Sequence, residues 1–422
     1  MRVLHLVNAA LPDVASGYTH RTEAVLAAQR RAGLIPTVVA LDLGRREATP
    51  ERIDLRDGVA HHHLCYPSRP SLSGGLDAGL RALLLQTAAR LPGEASRRAK
   101  LAVLARWAAS QLEPLIEESA FDVLQAHSPF AVAAVADVLS RRFRLPWIYE
   151  LRGLWHETAV AQGSTAAGSV RHRLDARAEA SLARRAAGCL PIGEALAEEV
   201  SGWGGRVLGV APNVVDAERF SPGPKDRELA EAIGLGDGPV VGYVGSLRPL
   251  EGIEACFEGL RGFPEATLLI VGEGPSREAL EREASRRGLR HRVLFTGRVS
   301  SEAVPNYYRL IDIFWVTRAA HPVTRLVPPL KPLEAMATGL PVICSKLPAL
   351  VELVGRSGER GLTYPPEDPS RLASLTRALW QDPDRRRHLG QAGRTWVETT
   401  RSLDALGRVY ARAFEGVRST QQ

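Results

Sequence analysis

Short apolar runs, many of them β-branched, recur along the chain with longer helical stretches between them. In the first half they fall at residues 2–7, 36–41, 59–64, 123–126, 147–150, 188–192 and 206–210. Strand, helix, strand in this rhythm predicts a parallel sheet with helices on both faces. The rhythm restarts at 239–244, 267–271, 293–295, 311–316, 341–344 and 361–364, so two doubly wound sheets are expected. At 422 residues the chain is also too long for one core at about 150 residues per domain.

Between the two series, residues 213–239 contain SPGP at 221–224 and GLGDGP at 234–239, a density of breakers suited to an interdomain crossing. The expected division is 1–215 for the first domain and 216–395 for the second. A last segment, 396–422, is expected to carry a helix that packs back on the first domain. Asp368 is expected to cap the helical tail and Pro369 to open it.

Composition narrows the class. Hydrophobic residues at 45% and charged residues at 24% argue against disorder, collagen and a membrane bundle. The longest apolar stretches are broken by charge before the roughly 18 residues a spanning helix needs. The first residues lack the apolar core and cleavage site of a signal peptide, so a cytoplasmic address is expected. Cys65, Cys189, Cys256 and Cys344 are separated singletons, which gives neither a metal spacing nor a disulfide framework. The net charge of +7 is carried almost wholly by arginine. Such a surplus suits phosphate groups or an anionic membrane face, and without a basic tail, zinc-finger spacing or aromatic-basic motif, no nucleic-acid partner is expected.

In open α/β sheets ligands sit outside the carboxyl ends of the strands, where loops and helix N-termini present free amides. Gly17, Gly245-Ser246 and Gly272-Glu273-Gly274 all lie just after predicted strands. Each is either a glycine that lets backbone approach a phosphate or an ordinary tight turn. Residues 329–345, PLKPLEAMATGLPVICS, predict a short helix with one carboxylate, Glu334, then Gly339 as a C-cap and Pro341 opening a buried strand.

This last segment resembles the donor-site motif of the family 4 retaining glycosyltransferases, which have the GT-B fold of two Rossmann-like α/β domains facing across a cleft. The resemblance runs along most of the chain: NVVDAERFSP at 213–222, VVGYVGS at 240–246, LIVGEGP at 269–275 and VLFTGRV at 293–299 follow the family's motifs in order. IYELRGLWHE at 148–157 and TRLVPPLK at 324–331 look most like an exopolysaccharide-associated branch. The resemblance implies a metal-independent, retaining transfer from a nucleotide diphosphate sugar, used as co-substrate without a further cofactor, to a glycan, lipid-linked or small-molecule acceptor. Glu334 would hold the ribose hydroxyls; Gly297, Arg298 and Val299 would face the base. Gly245, Ser246, Gly272 and Glu273 would approach the diphosphate, with Arg325, Leu326 and Val327 beside the donor. His127 would lie near the transferred sugar. Gly17, Glu150, Arg152 and Glu157 would edge the acceptor side.

The chain also departs from the family pattern. Leu326 stands where many members have a glutamate, and Ser246 and Glu251 where an arginine and a lysine are common. A diphosphate still requires positive charge or helix dipoles. Lys331, Arg248 and Arg325 are the substitutes on offer, with Lys331 favoured as one of only four lysines, and Lys331 and Arg248 join His127 as the catalytic candidates. Asp382-Pro383-Asp384 and His61-His62-His63 are set aside as metal sites, the first for its distance along the chain from the donor motif and the second because alternate strand residues face opposite ways. The arginines at 81, 90, 97, 98 and 106 and Lys100 punctuate a leucine-rich helical region, which fits either a solvated helix face or an anionic membrane at the inner face of the cell. The rival readings are a non-catalytic nucleotide-sugar binder, or an epimerase or phosphorylase of the same fold.

Overall fold

In a computed structural model, residues 1–11, 13–14, 16–41, 52–64 and 93–418 are described, apart from the side chains of Arg52, residues 93–98 and Lys100. Cys65, Arg81 and Arg90, and the side chains of Arg97, Arg98 and Lys100, therefore lie outside the described residues. The chain forms two compact units, Met1–Pro212 with Leu403–Gln422, and Asn213–Ser402. The second unit ends only after the Pro383–Thr400 helix is complete, and the Leu403–Arg418 helix packs on the Gly17–Arg31 helix of the first. Their contact is close: a Cβ at Gly407 would stand 2.5 Å from the carbonyl oxygen of Ala28.

The first unit holds β1 (Arg2–Val7), β2 (Ile35–Ala40), β3 (Arg52–Arg56), β4 (Val59–His63), β5 (Val123–His127), β6 (Trp147–Leu151) and β7 (Gly188–Pro191), ordered β3-β4-β2-β1-β5-β6-β7. Only β3 is antiparallel. Residues 206–210 do not form the expected strand: among them a single bridge pairs Val207 with Cys189. Every residue of β5 and β6 is buried, as strands covered on both faces require.

The second unit holds β8 (Val240–Val244), β9 (Thr267–Val271), β10 (Val293–Gly297), β11 (Ile313–Val316), β12 (Val342–Ser345) and β13 (Leu362–Tyr364), all parallel, ordered β10-β9-β8-β11-β12-β13. That is the doubly wound Rossmann order, with its reversal between β8 and β11. One face packs on a cluster containing Phe257, Phe263 and Trp315, the other on one containing Tyr308, Phe314 and Leu333. At the tail, Pro369 itself is the N-cap of the Ser370–Gln381 helix, and Asp368 instead accepts from the Ser370 hydroxyl. Among the described residues no helix is long and apolar enough to cross a membrane.

Candidate functional site

The strand-order reversal in the second unit gathers loops from four strands. Gly245 N–H donates to the Val271 carbonyl (2.8 Å), Gly272 N–H to Gly297 (3.0 Å) and Leu247 N–H to Glu273 (3.0 Å). Only glycines allow this approach. Gly245 sits at φ 145° and Gly272 at φ 136°, and a Cβ on Gly272 would lie 2.0 Å from the Gly245 oxygen. The loops after β8 and β11 are tied in the same way. Ala319 N–H donates to Leu250 (3.1 Å) and the Thr317 hydroxyl to the Glu251 carbonyl (3.1 Å).

Lys331 opens the Lys331–Ala337 helix and runs its stem past Gly245, where a Cβ would meet its Cε at 2.0 Å. Its Nζ lies 3.0 Å from Glu251 Oε1 and 5.5 Å from the centre of the Tyr243 ring. Burial lowers the Lys331 pKa, while Glu251 acts in the opposite direction. Burial likewise works against the charge of Glu251, but Lys331 and then Arg318 override it and hold the carboxyl below its ordinary range. One turn along the helix, Glu334 accepts from the Tyr308 hydroxyl at 2.7 Å, and burial raises its pKa despite that bond. The helix ends at Thr338, with Gly339 one residue further at φ 78°.

The other donor-side candidates scatter around this centre. Ser246, Arg248, Arg298 and Arg325 are exposed. Glu273 is tied to Arg277 at the start of the Arg277–Arg286 helix. Leu326 and Val327 are partly buried, and the Val327 carbonyl accepts from Arg318 at 2.8 Å. Arg318, which sequence reasoning passed over, reaches the same centre, 3.6 Å from Glu251. It stands two positions beyond β11, and the strand-end rule applied there would have found it. Tyr308 carried no such signal.

In the first unit His127, Glu150 and Arg152, expected beside the sugar and the acceptor, belong to a buried ring of hydrogen bonds. Arg152 is donor-only, so the His127 Nδ1 facing its Nη2 at 2.7 Å accepts, and the proton sits on His127 Nε2. That proton is donated to His5 Nδ1 (2.9 Å), and His5 Nε2 donates to Gln29 Oε1 (2.9 Å). Gln29 donates to Gln125 (2.7 Å), and Gln125 to Glu150 Oε2 (2.6 Å). Glu150 Oε1 then accepts from Arg152 Nε (2.9 Å) and Arg21 Nε (3.0 Å), which closes the circuit, while Tyr410 donates to Oε2 (2.6 Å). His127 has no exposed surface, and both its ring nitrogens are engaged within the ring. Burial, with Arg152 next, pushes its pKa down to about 4, so the 3.3 Å approach to Glu150 is not an ion pair at neutral pH. Glu150 and Arg152 are interior structural residues for the same reason. His5 and Gln125, polar residues inside apolar strands, were the visible sign of this ring.

Of the remaining acceptor-side candidates, Gly17 begins the helix capped by Ser16 and has open space where a Cβ would stand. Glu157 lies 3.0 Å from His172 Nε2 and 3.9 Å from His156 Nε2. His156 Nδ1 is 3.3 Å from the fully buried Glu179, which also accepts from Tyr149. His156, Glu157 and His172 are thus the residues placed to share a metal ion among those described. His61 and His63 are buried on one side of β4 with His62 between them, and His63 faces Asp13 and Asp54. Asp382 caps the Pro383–Thr400 helix through the Arg385 N–H.

Two Rossmann-like α/β units built on parallel sheets are the architecture of the GT-B class. Residues 16–213 match the "Glycosyl transferase 4-like domain" and residues 226–396 match "Glycosyl transferases group 1". Both parts of the chain thus match glycosyltransferase domain models, which support a GT4-like glycosyltransferase family of the GT-B fold. It is 33% identical to the GDP-mannose-dependent alpha-(1-6)-phosphatidylinositol monomannoside mannosyltransferase of Mycolicibacterium smegmatis over 50% of this chain and 57% of that one. It is 28% identical to the 2-deoxystreptamine glucosyltransferase of Streptomyces kanamyceticus over 57% of this chain and 63% of that one. The matched segments thus span less than two thirds of these relatives. In fold it is similar to sucrose-phosphate synthase of Thermosynechococcus elongatus, at a TM-score of 0.74 with 20% identity over 99% of each chain.

Proposed function

We propose that this chain transfers a sugar, with retention of anomeric configuration and without a metal on the diphosphate, from a nucleotide diphosphate sugar to a glycan, lipid-linked or small-molecule acceptor. The observation that carries the reading is the placement of Lys331, Gly245 and Glu334 at the carboxyl ends of the second sheet. Glu334 holds the ribose hydroxyls. Lys331 meets the negative charge that grows on the departing diphosphate, where the glycine backbone at 245 lets the group come close. The backbone at 297–299 faces the base. Catalysis is then positioning and electrostatic stabilisation, with no protein nucleophile assigned. The relatives support this class of substrate, since one is named for GDP-mannose and a phosphatidylinositol mannoside and another for 2-deoxystreptamine. An exopolysaccharide acceptor, and work at an anionic membrane face, belong to the same proposal.

Nucleotide sugars with different bases, screened by thermal shift, test the donor, because a ligand that binds only the folded chain stabilises it by mass action. A matching donor should raise the melting temperature and release nucleoside diphosphate slowly without acceptor. A chain indifferent to every nucleotide sugar overturns the reading. Turnover lost to a chelator and restored by manganese or magnesium overturns the metal-independent part.

A further inference from the structure

Glu251, one of the two residues that depart from the family's basic pattern, acquires a purpose from its neighbours. Glu251 ends the short turn Pro249–Glu251, and Gly252 at φ 58° bends the chain away against the Thr317 carbonyl, 2.3 Å from where its Cβ would be. This pins the Glu251 carboxylate between two cations on other segments, with Lys331 Nζ at 3.0 Å and Arg318 Nη2 at 3.6 Å. The side chains of Glu251 and Arg318 are 8% and 10% exposed, and Lys331 is the most open of the three at 16%. Within this group of three, two cations and one anion leave one positive charge, with Glu334 the next acid along the helix. The group is not closed on itself, since Glu251 Oε2 and Arg318 Nε have no hydrogen-bond partner among the described residues. Without Arg318, the Lys331–Glu251 pair would be neutral and would exert little pull on an anion.

Building on the nucleotide-donor reading above, we propose that Lys331, Glu251 and Arg318 act as one unit, a pre-set cationic socket for a nucleotide's diphosphate. Lys331 is the group that touches phosphate. Glu251 and Arg318 are positioning residues. Glu251 fixes the ammonium where the missing Cβ of Gly245 leaves room for it, and Arg318 restores the positive balance that Glu251 removes. Arg318 also clamps the Val327 carbonyl, and so couples the socket to the strand of chain that leads into the Lys331–Ala337 helix. The basic charge commonly carried on the loop after the first strand has here been moved to the opposite wall, with an acid left behind to hold it.

The test is calorimetry on the full chain with UDP, GDP, UMP and GMP. Arg318→Met should weaken the preferred nucleoside diphosphate by about tenfold or more while changing the corresponding monophosphate by less than about twofold. Glu251→Gln, nearly isosteric, keeps the test decisive should Arg318→Met fold poorly. The charged and titratable groups around Lys331 are Glu251, Arg318, Glu334 and the Tyr243 and Tyr308 phenols. Burial already disfavours the ammonium, so losing the Glu251 charge makes it deprotonate at lower pH, and the alkaline fall in diphosphate affinity should move to lower pH. A merely structural Glu251 would not move that limb. A wild-type chain that binds none of the four nucleotides overturns the donor reading and the socket with it. Binding with an unchanged diphosphate-to-monophosphate preference in Arg318→Met, or an unmoved alkaline limb in Glu251→Gln, overturns the socket alone.

Discussion

Both units place a buried carboxylate between cations beside a strand-order reversal, and the two arrangements differ in one respect. In the first unit Glu150 sits in a circuit where each ring nitrogen and amide of His5, His127, Gln29 and Gln125 has its partner. In the second, Glu251 and Arg318 each keep an atom without one among the described residues. A fully satisfied buried network fixes a fold, because any rearrangement leaves a desolvated polar group unpaired. A network with unmet capacity next to a partly exposed lysine is one that a ligand can complete. The same residue types therefore do opposite work, and completeness of hydrogen bonding separates them.

The largest effect should come from breaking the closed circuit. Glu150→Ala leaves Arg21 and Arg152 buried without their shared counter-ion. Removing one partner of a buried ion pair costs about 3–5 kcal/mol, which is a large part of a domain's stability. Chemical denaturation followed by a fluorescence probe in the first unit should show that loss. A change below about 1 kcal/mol would mean that the circuit is decorative.

The circuit also predicts a pH dependence. Both histidines are held neutral by burial in the folded chain, His127 at about 4 and His5 well below its ordinary value, against 6.5 unfolded. The unfolded chain therefore binds more protons between those values, so stability is full above about pH 6.5 and falls as the pH drops towards 4. For His127 alone the interval from 6.5 to 4 amounts to about 3 kcal/mol at 1.36 kcal/mol per pH unit. His127→Gln should flatten this acid limb. A curve with an unaltered slope between pH 6.5 and 4 would show that the ring does not titrate on unfolding.

The open network should respond first in turnover. Lys331→Ala removes a charge whose interaction strengthens as the diphosphate leaves, so the rate at saturating donor should fall by about two decades, roughly 2.7 kcal/mol. Donor affinity should change less. Lys331→Arg recovers only part, since a planar fork does not reproduce a compact ammonium. Lys346→Ala serves as the control. Normal turnover in Lys331→Ala with a dead Arg248→Ala or Arg325→Ala would transfer the role to one of those exposed arginines.

The contrast explains what the sequence made legible. Strand rhythm located both sheets because parallel strands buried on both faces must be continuously apolar, as in LLIV at 268–271. Strand β3 escaped because its apolar positions point outward, with Ile53 69% and Leu55 77% exposed. Residues 206–210 read as a strand by composition, yet only Val207 makes a bridge, and local apolarity says nothing about whether a ladder partner is available. Lys331 and Glu334 were found because a motif carries them. Whether His127 faces a ligand or a ring of partners depends on Gln29, Gln125 and Arg152, which are distant in sequence or carry no periodic signal. Polar pairing is a property of the assembled sheet.

The last prediction, which includes the smallest expected effect, concerns Glu334, a carboxylate with a single hydrogen-bond partner among the described residues. Its Oε2 accepts from Tyr308 at 2.7 Å, which leaves the remaining acceptor capacity for two ribose hydroxyls. Glu334→Ala would leave those hydroxyls unpaired in a desolvated site, at roughly 1.5–3 kcal/mol for a charged acceptor, or about ten- to a hundredfold in donor affinity. Tyr308→Phe removes the orienting bond but keeps the carboxylate, so it should cost about 1 kcal/mol or less, a few-fold at most. The ranking is informative because burial raises the pKa of Glu334 while the tyrosine bond opposes that rise. Losing the bond lets the carboxyl protonate at higher pH, and the donor affinity of Tyr308→Phe should begin to fall at a higher pH than wild type as the solution is acidified. Calorimetry across that range reads both quantities. Equal donor affinity in all three proteins would make Glu334 a carboxylate that serves only its tyrosine, and the second network would then be as closed as the first.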